Sequence, residues 1–369
     1  MSRERATLMN SDRKSRIRKV LIIDDSAVMC HLLANIINAH PGFEVVGTAA
    51  DPYIARDMIK QLNPDLLTLD IEMPKMSGIQ FLKNLMRLRP MPVIMISSIT
   101  SHGAQATIEA LHIGAVDVIE KPNFRTSQCM DVFSRLVYEK LSLAASISQS
   151  KLIPPRYSAE CYSGTRNGKS RASRKLLAIG ASTGGTIALQ EICRQLPATT
   201  PGTVIVQHIP GSFSQAFADS LDKCSAMKVQ QARDGDIIRQ GNVYVAPGTK
   251  HLQTVWSDGS YKCSLLSTDP VNRHRPSVDV LFESVAKCAK KGSIGLLLTG
   301  MGKDGAQGLL AMREMGHTTI AQDEYSSVVW GMPGTAVELN AAKYVKSLQS
   351  IPGFLNEAFS GSKGSNGTL

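Results

Sequence analysis

A serine framed by small residues, Gly180-Ala181-Ser182-Thr183-Gly184-Gly185, lies between the apolar run LLAIGAS and the amphipathic segment TIALQEICRQL. G-x-S-x-G at a strand-to-helix junction makes a sharp turn that exposes a hydroxyl for nucleophilic attack. The following helix aims its N-terminus, and the N–H of Thr183, at any oxyanion formed there. The same kind of turn also cradles phosphate, so the serine needs partners. His208 closes the apolar run TVIVQH and is placed to act as a general base. Asp304, in the glycine-rich turn LTGMGKDG after another apolar run, can hold the imidazole tautomer and stabilise the imidazolium. Singly, a histidine at a strand end is usually structural and an Asp-Gly is usually a turn. Together they fill nucleophile, base and orienter, and predict a serine hydrolase.

A second set of residues suits phosphate. Asp24 and Asp25 end the run VLIID, Asp70 ends DLLTLD, Ser97 ends PVIMIS, and Lys121 ends AVDVIEK. In an open parallel sheet ordered 2-1-3-4-5, the first and third strands are neighbours at the switch point, where ligands bind beyond the strand ends. Three carboxylates there repel one another unless a cation sits among them. Oxygen-ligated Mg2+ fits such a set. Ser97 adds a hydroxyl and Lys121 a positive charge for phosphoryl oxygens.

Both sets must be carried by elements of matching period. From Val20, runs rich in Val, Ile and Leu alternate with segments of helical spacing such as AVMCHLLANIINAH and GIQFLKNLMRL. Five such units predict a doubly wound parallel sheet. The rhythm resumes at LLAIGAS and continues through VYVAP and SIGLLLTG, predicting a second α/β domain. The expected divisions are a basic disordered tail over 1–17, a first domain over 18–141, a basic flexible linker over 142–174, a second domain over 175–358 and a disordered tail over 359–369. The linker is Ser/Arg/Lys-rich with a Pro-Pro. The net charge of +10 is concentrated, with residues 1–19 at net +5 and residues 151–175 at net +6. A basic tail and linker, with a nearly neutral remainder, argue against nucleic acid and leave room for steering toward an acidic partner. The seven cysteines stand singly without a C-x-x-C pair, which predicts free thiols in a reducing cytoplasm. No apolar run is long enough to cross a membrane, and the N-terminus has no secretory h-region.

The set formed by Asp24, Asp25, Asp70, Ser97 and Lys121 resembles the receiver domain of two-component response regulators. The resemblance implies a flavodoxin-like fold in which Asp70 accepts a phosphoryl group from a histidine kinase. Asp24, Asp25 and Asp70 would hold Mg2+, with Glu72 supplying a backbone carbonyl, while Ser97 and Lys121 act as the switch. The stretches IGASTGG, QHIP, VYVAPG, PVNRHRPSVDVLF, LLTGMGKDGA and VVWGMP resemble the chemotaxis protein-glutamate methylesterases, the CheB family. That implies a Rossmann-like catalytic domain in which Ser182, His208 and Asp304 are catalytic and the N–H groups of Thr183 and Met301 bind the oxyanion. The implied substrates are methyl-accepting chemotaxis receptors, demethylated at glutamate and deamidated at glutamine, with activity raised by phosphorylation. No cofactor is implied for the esterase half, and the implied location is the cytoplasm, at receptor arrays. Arg273, His274 and Arg275 could attract acidic receptor helices or form a solvated basic loop. Three rival readings are weaker, one of them a fold that carries the three residues as a binding scaffold without turnover. A DNA-binding output domain would need a helix-turn-helix and a basic surface, and an ordinary α/β hydrolase would carry its residues in the order Ser…Asp…His.

Overall fold

The computed structural model describes residues 16–98, 101–122, 127–148, 151–152 and 171–360. The chain divides between Pro154 and Pro155 into two compact units. In the first, β1 (Arg18–Ile23), β2 (Phe43–Ala49), β3 (Leu66–Asp70), β4 (Val93–Ser97) and β5 (Asp117–Glu120) form a parallel sheet ordered β2-β1-β3-β4-β5. Val20, Leu21, Ile22 and Ile23 are all fully buried, as expected of a strand with helices on both faces. Those helices are α1 (Ala27–Asn38), α2 (Pro52–Leu62), α3 (Gly78–Leu88), α4 (Ser101–Ile113) and α5 (Ser127–Ser146). Ser26, Asp51 and Ser77 cap α1, α2 and α3 by accepting backbone N–H bonds from the first turn.

The expected linker, 142–174, is shorter at both ends. Helix α5 continues to Ser146, because Leu141, Leu143 and Ala144 keep an apolar face and are buried. At the other end Ala172 pairs with Arg239, and the buried Ser173 accepts a bond from Gly202 N at 2.8 Å. Residues 153–170, with Arg156, Glu160, Cys161, Arg166 and Lys169 of the expected linker, lie outside the described residues, as do 1–15 and 361–369. The described cysteines are free thiols. Among the described residues no helix is long and apolar enough to cross a membrane.

The second unit is a seven-stranded parallel sheet ordered β14-β13-β12-β6-β7-β9-β8. Its strands are β6 (Leu176–Ala181), β7 (Gly202–Gln207), β8 (Lys228–Gln231), β9 (Asn242–Val245), β12 (Ile294–Leu297), β13 (Thr318–Gln322) and β14 (Tyr344–Lys346). The chain winds outward from β6 through β7 in one direction and from β12 in the other, so the crevice beyond β6 is the switch point. The helices are α6 (Gly185–Gln195), α7 (Gly211–Cys224), α8 (Val278–Cys288), α9 (Ala306–Glu314), α10 (Met332–Glu338) and α11 (Ile351–Ser360).

An element the alternating pattern did not predict is the antiparallel hairpin of β10 (His251–Ser257) and β11 (Ser260–Leu266). Its two-residue turn is Asp258-Gly259, with φ of 51° and 73°, the backbone that an Asp-Gly pair favours. The hairpin meets the start of α8 through His251. His251 at the start of β10 is buried, its Nδ1 accepting from Ser277 N at 3.1 Å and its Nε2 facing Asp269 O at 3.0 Å. A carbonyl can only accept and a backbone N–H can only donate, so the ring is the Nε2–H tautomer.

Candidate active site

Ala181 on β6 pairs with Gln207 on β7, so Ser182 and His208 leave neighbouring strands side by side. His208 N donates to Ala181 O at 3.1 Å. On the other flank of β6, Ser182 N donates to Thr299 O at 3.0 Å, which ties the serine to the strand that leads to Asp304. Gln207 clamps the pair, its Nε2 donating to Ser182 O at 2.9 Å and to His208 O at 3.2 Å. Gly184 takes φ of 77° to start α6, a left-handed turn where a side chain would be strained. Gly300 presses on the serine itself. A Cβ there would stand 2.7 Å from Ser182 Cβ and 2.3 Å from Met332 Sδ.

His208 is largely buried, and its Nε2 lies 2.9 Å from Asp304 Oδ2. Its Nδ1 is buried with no hydrogen-bond partner. Asp304 accepts four further bonds: from Ser277 Oγ at 2.7 Å, Val278 N at 2.7 Å, Asn272 Nδ2 at 2.9 Å and Asp279 N at 3.3 Å. Two of these donors belong to the first turn of α8, where the helix dipole also favours a negative charge. Burial alone would raise the Asp304 carboxyl. His208 and the other donors outweigh burial and hold it well below the usual carboxylate range. It is therefore an anion that holds a proton on Nε2.

Beside it, Asp279 accepts from Asn272 Nδ2 and from Gly308 N, each at 2.7 Å. Burial, reinforced by the neighbouring charge of Asp304, pushes its carboxyl up to about 6 against these two donors. The ring of His274 lies flat on that of His208, with centroids 3.8 Å apart and planes 9° apart. Thr183 is buried, and its carbonyl accepts from Thr299 Oγ1 at 3.0 Å. Met301 is 44% exposed on the loop between Gly300 and Asp304, and among the described residues no acceptor pairs with its N–H. Asn272, Ser277, Asp279 and Gln207 were not singled out from sequence. The signal for two of them was present in SVD, a serine N-cap followed by an acid in the first helical turn.

In the first unit, oxygens of Asp24, Asp25 and Asp70 lie within 4.8 Å of one another. Asp24 and Asp70 are buried and Asp25 is exposed. Lys121 Nζ sits 2.8 Å from Asp70 Oδ2 and 3.0 Å from Asp24 Oδ2. Burial raises the Asp70 carboxyl; Lys121 opposes that shift and Asp24 adds to it. Burial would lower the Lys121 ammonium, but the two carboxylates raise it. The Glu72 carboxylate is not in the cluster and accepts from Ser98 Oγ at 3.3 Å. Glu72 N approaches Asp70 Oδ1 at 3.4 Å. Ser97 is buried at its strand end. Its hydroxyl accepts from Thr107 Oγ1 at 3.0 Å and donates to Ser98 O at 3.2 Å, and is not bonded to Asp70.

Residues 20–131 match the response regulator receiver domain, and residues 177–355 match the CheB methylesterase family. A protein-glutamate methylesterase/protein-glutamine glutaminase of Hahella chejuensis is 49% identical over 346 residues, 91% of this chain and 95% of its own. The chain belongs to the CheB family of receiver-linked methylesterases. A relative of the same description from Vibrio vulnificus is 49% identical over 94% of this chain and 99% of its own. The CheB methylesterase catalytic domain of Thermotoga maritima, 39% identical, aligns with 50% of this chain and 98% of its own at a TM-score of 0.49.

Two outcomes follow for this family member. Replacing Gln207 with Leu removes both clamping bonds and should cost about 1–2 kcal/mol of stability, read by urea unfolding, together with a fall in kcat. The second concerns pH. The Asp279 pKa is higher folded than unfolded (about 4), so its stabilising contribution is complete below pH 4 and lost as pH rises through 6. Asp304 behaves oppositely, contributing stability above the unfolded value and losing it in acid. Thermal unfolding should therefore show the stability of Asp279→Asn improving relative to wild type between pH 5 and 7.5, whatever constant offset the amide adds. A flat difference across that range would refute the assignment.

Proposed function

We propose that this chain hydrolyses the methyl esters of glutamate side chains on chemoreceptors, releasing glutamate and methanol, and deamidates receptor glutamines. Phosphorylation of Asp70 raises both rates. The observation that carries the reading is the His208–Asp304 pair, bonded at 2.9 Å beside a serine that leaves the adjacent strand. In this reading Ser182 Oγ attacks the ester carbonyl while its proton passes to His208 Nδ1. The N–H groups of Thr183 and Met301 receive the oxyanion. Collapse expels methanol, which takes the proton from the imidazolium. Water, deprotonated by the same nitrogen, then cleaves the acyl-enzyme to glutamate and restores Ser182. With a glutamine side chain the leaving group is ammonia and the remaining steps are unchanged.

In the receiver, Asp70 is the phosphoryl acceptor from a histidine kinase. The carboxylate cluster is an all-oxygen donor set, and Asp24 Oδ2 is buried with the Lys121 ammonium as counter-charge but without a well-directed hydrogen bond. Such a set fits Mg2+, held by Asp24, Asp25 and Asp70 with the Glu72 carbonyl, and a bound Mg2+ would neutralise charge on the incoming phosphoryl oxygens. Lys121 contacts one phosphoryl oxygen. Ser97 would donate to another by turning its proton away from Ser98 O, while Thr107 continues to donate to its oxygen. We place the reaction in the cytoplasm at receptor arrays, with no nucleic acid among the partners.

The test is release of labelled methanol from methyl-labelled receptor membranes by the full chain. Wild type should release it, Ser182→Ala should release none above background, and Asp70→Asn should keep basal release but show no stimulation by a small-molecule phosphodonor. Release by Ser182→Ala at the wild-type rate would end the serine-hydrolase reading.

A further inference from the structure

The segment between β11 and α8 makes a tight two-residue turn. Val271 N donates to His274 O at 3.1 Å and His274 N returns a bond to Val271 O at 2.8 Å. The two residues at its tip, Asn272 and Arg273, have φ of 51° and 67°. Neither is glycine; Asn272 tolerates this left-handed region, whereas Arg273 is held where L-residues are disfavoured. What the turn achieves is the placement of two side chains. Asn272 Nδ2 bonds Asp304 Oδ1 at 2.9 Å and Asp279 Oδ2 at 2.7 Å. The His274 ring covers the face of His208 at 3.8 Å.

The second contact answers a geometric weakness of the His208–Asp304 pair. The χ2 torsion of a histidine is broad, and its axis leaves the ring close to Nε2. A bond at Nε2 therefore resists rotation about that axis only weakly. Nδ1 lies off the axis and swings with any rotation, and it has no partner to hold it. A flat ring against the face of the imidazole resists this motion directly, because turning His208 would drive its edge into the stack.

We propose that the Val271–His274 turn is a positioning element of the hydrolytic site, in which the stacked ring of His274 sets the plane of His208 and the amide of Asn272 sets the carboxylate of Asp304. The inference rests on the assignment of Ser182, His208 and Asp304 above. It makes His274 a positioning residue, acting through His208 and not on the substrate. A planar ring is what matters at this position; neither charge nor a proton is required of it.

The experiment compares His274→Phe, which keeps a flat ring, with His274→Leu, which keeps apolar bulk without one, in the full chain acting on methyl-labelled receptor membranes. His274→Phe should retain kcat within about threefold of wild type. His274→Leu should lose roughly 10- to 100-fold in kcat with KM within twofold, the scale expected when a reacting group is slightly misplaced. Asn272→Ala should lower kcat in the same way. Equal kcat for the Phe and Leu variants, or a loss confined to KM, overturns the proposal. If Ser182→Ala remains active, the underlying assignment fails instead. If Ser182→Ala is inactive while His274→Leu matches wild type, only the positioning role is lost.

Discussion

The catalytic unit depends on one buried anion. Asp304 is 1% exposed, yet it stays charged because five donors converge on its two oxygens. A buried carboxylate without such partners would take up a proton, and a protonated Asp304 could not hold the Nε2–H tautomer of His208. Much of the surrounding chain can be understood as supply of those donors. Helix α8 begins where its first-turn N–H groups and the hydroxyl of its Ser277 cap reach the carboxylate. The β10 strand places His251 against Ser277, and the turn at Asn272 closes the remaining side.

The serine is organised from the opposite direction, by backbone. Gln207 joins the carbonyls of Ser182 and His208, Thr299 accepts the Ser182 N–H, and Gly300 allows the loop after β12 to pack on the serine without a side chain between them. The two strands flanking β6 thus lead into His208 and into the loop that carries Asp304, on either side of Ser182. This is the use a switch point is suited to, since loops from both directions of winding meet there.

The receiver applies similar physics with opposite charge balance. Asp24 and Asp70 are buried together, and the Lys121 ammonium between them supplies the compensation. A phosphoryl group arriving on Asp70 would compete for that ammonium. The hydroxyl of Ser97 donates to Ser98 O and accepts from Thr107 on α4, so a rotation of that side chain would be felt by a helix.

The acid cluster, the serine elbow and His208 were legible in the sequence because each sits at the end of an apolar run, and strand ends in a parallel sheet converge by topology. Asp304 was legible for the same reason, through its glycine-rich turn after β12. The extent of the linker was misjudged, since local composition does not reveal that Leu143 and Ala144 still face a core or that Ser173 holds Gly202. The choice of imidazole nitrogen, the stack of His274 on His208 and the sharing of Asn272 between two carboxylates were decided by tertiary structure alone. They join residues separated by up to 96 positions, and such contacts are set by three-dimensional packing of loops whose sequences carry no period to read.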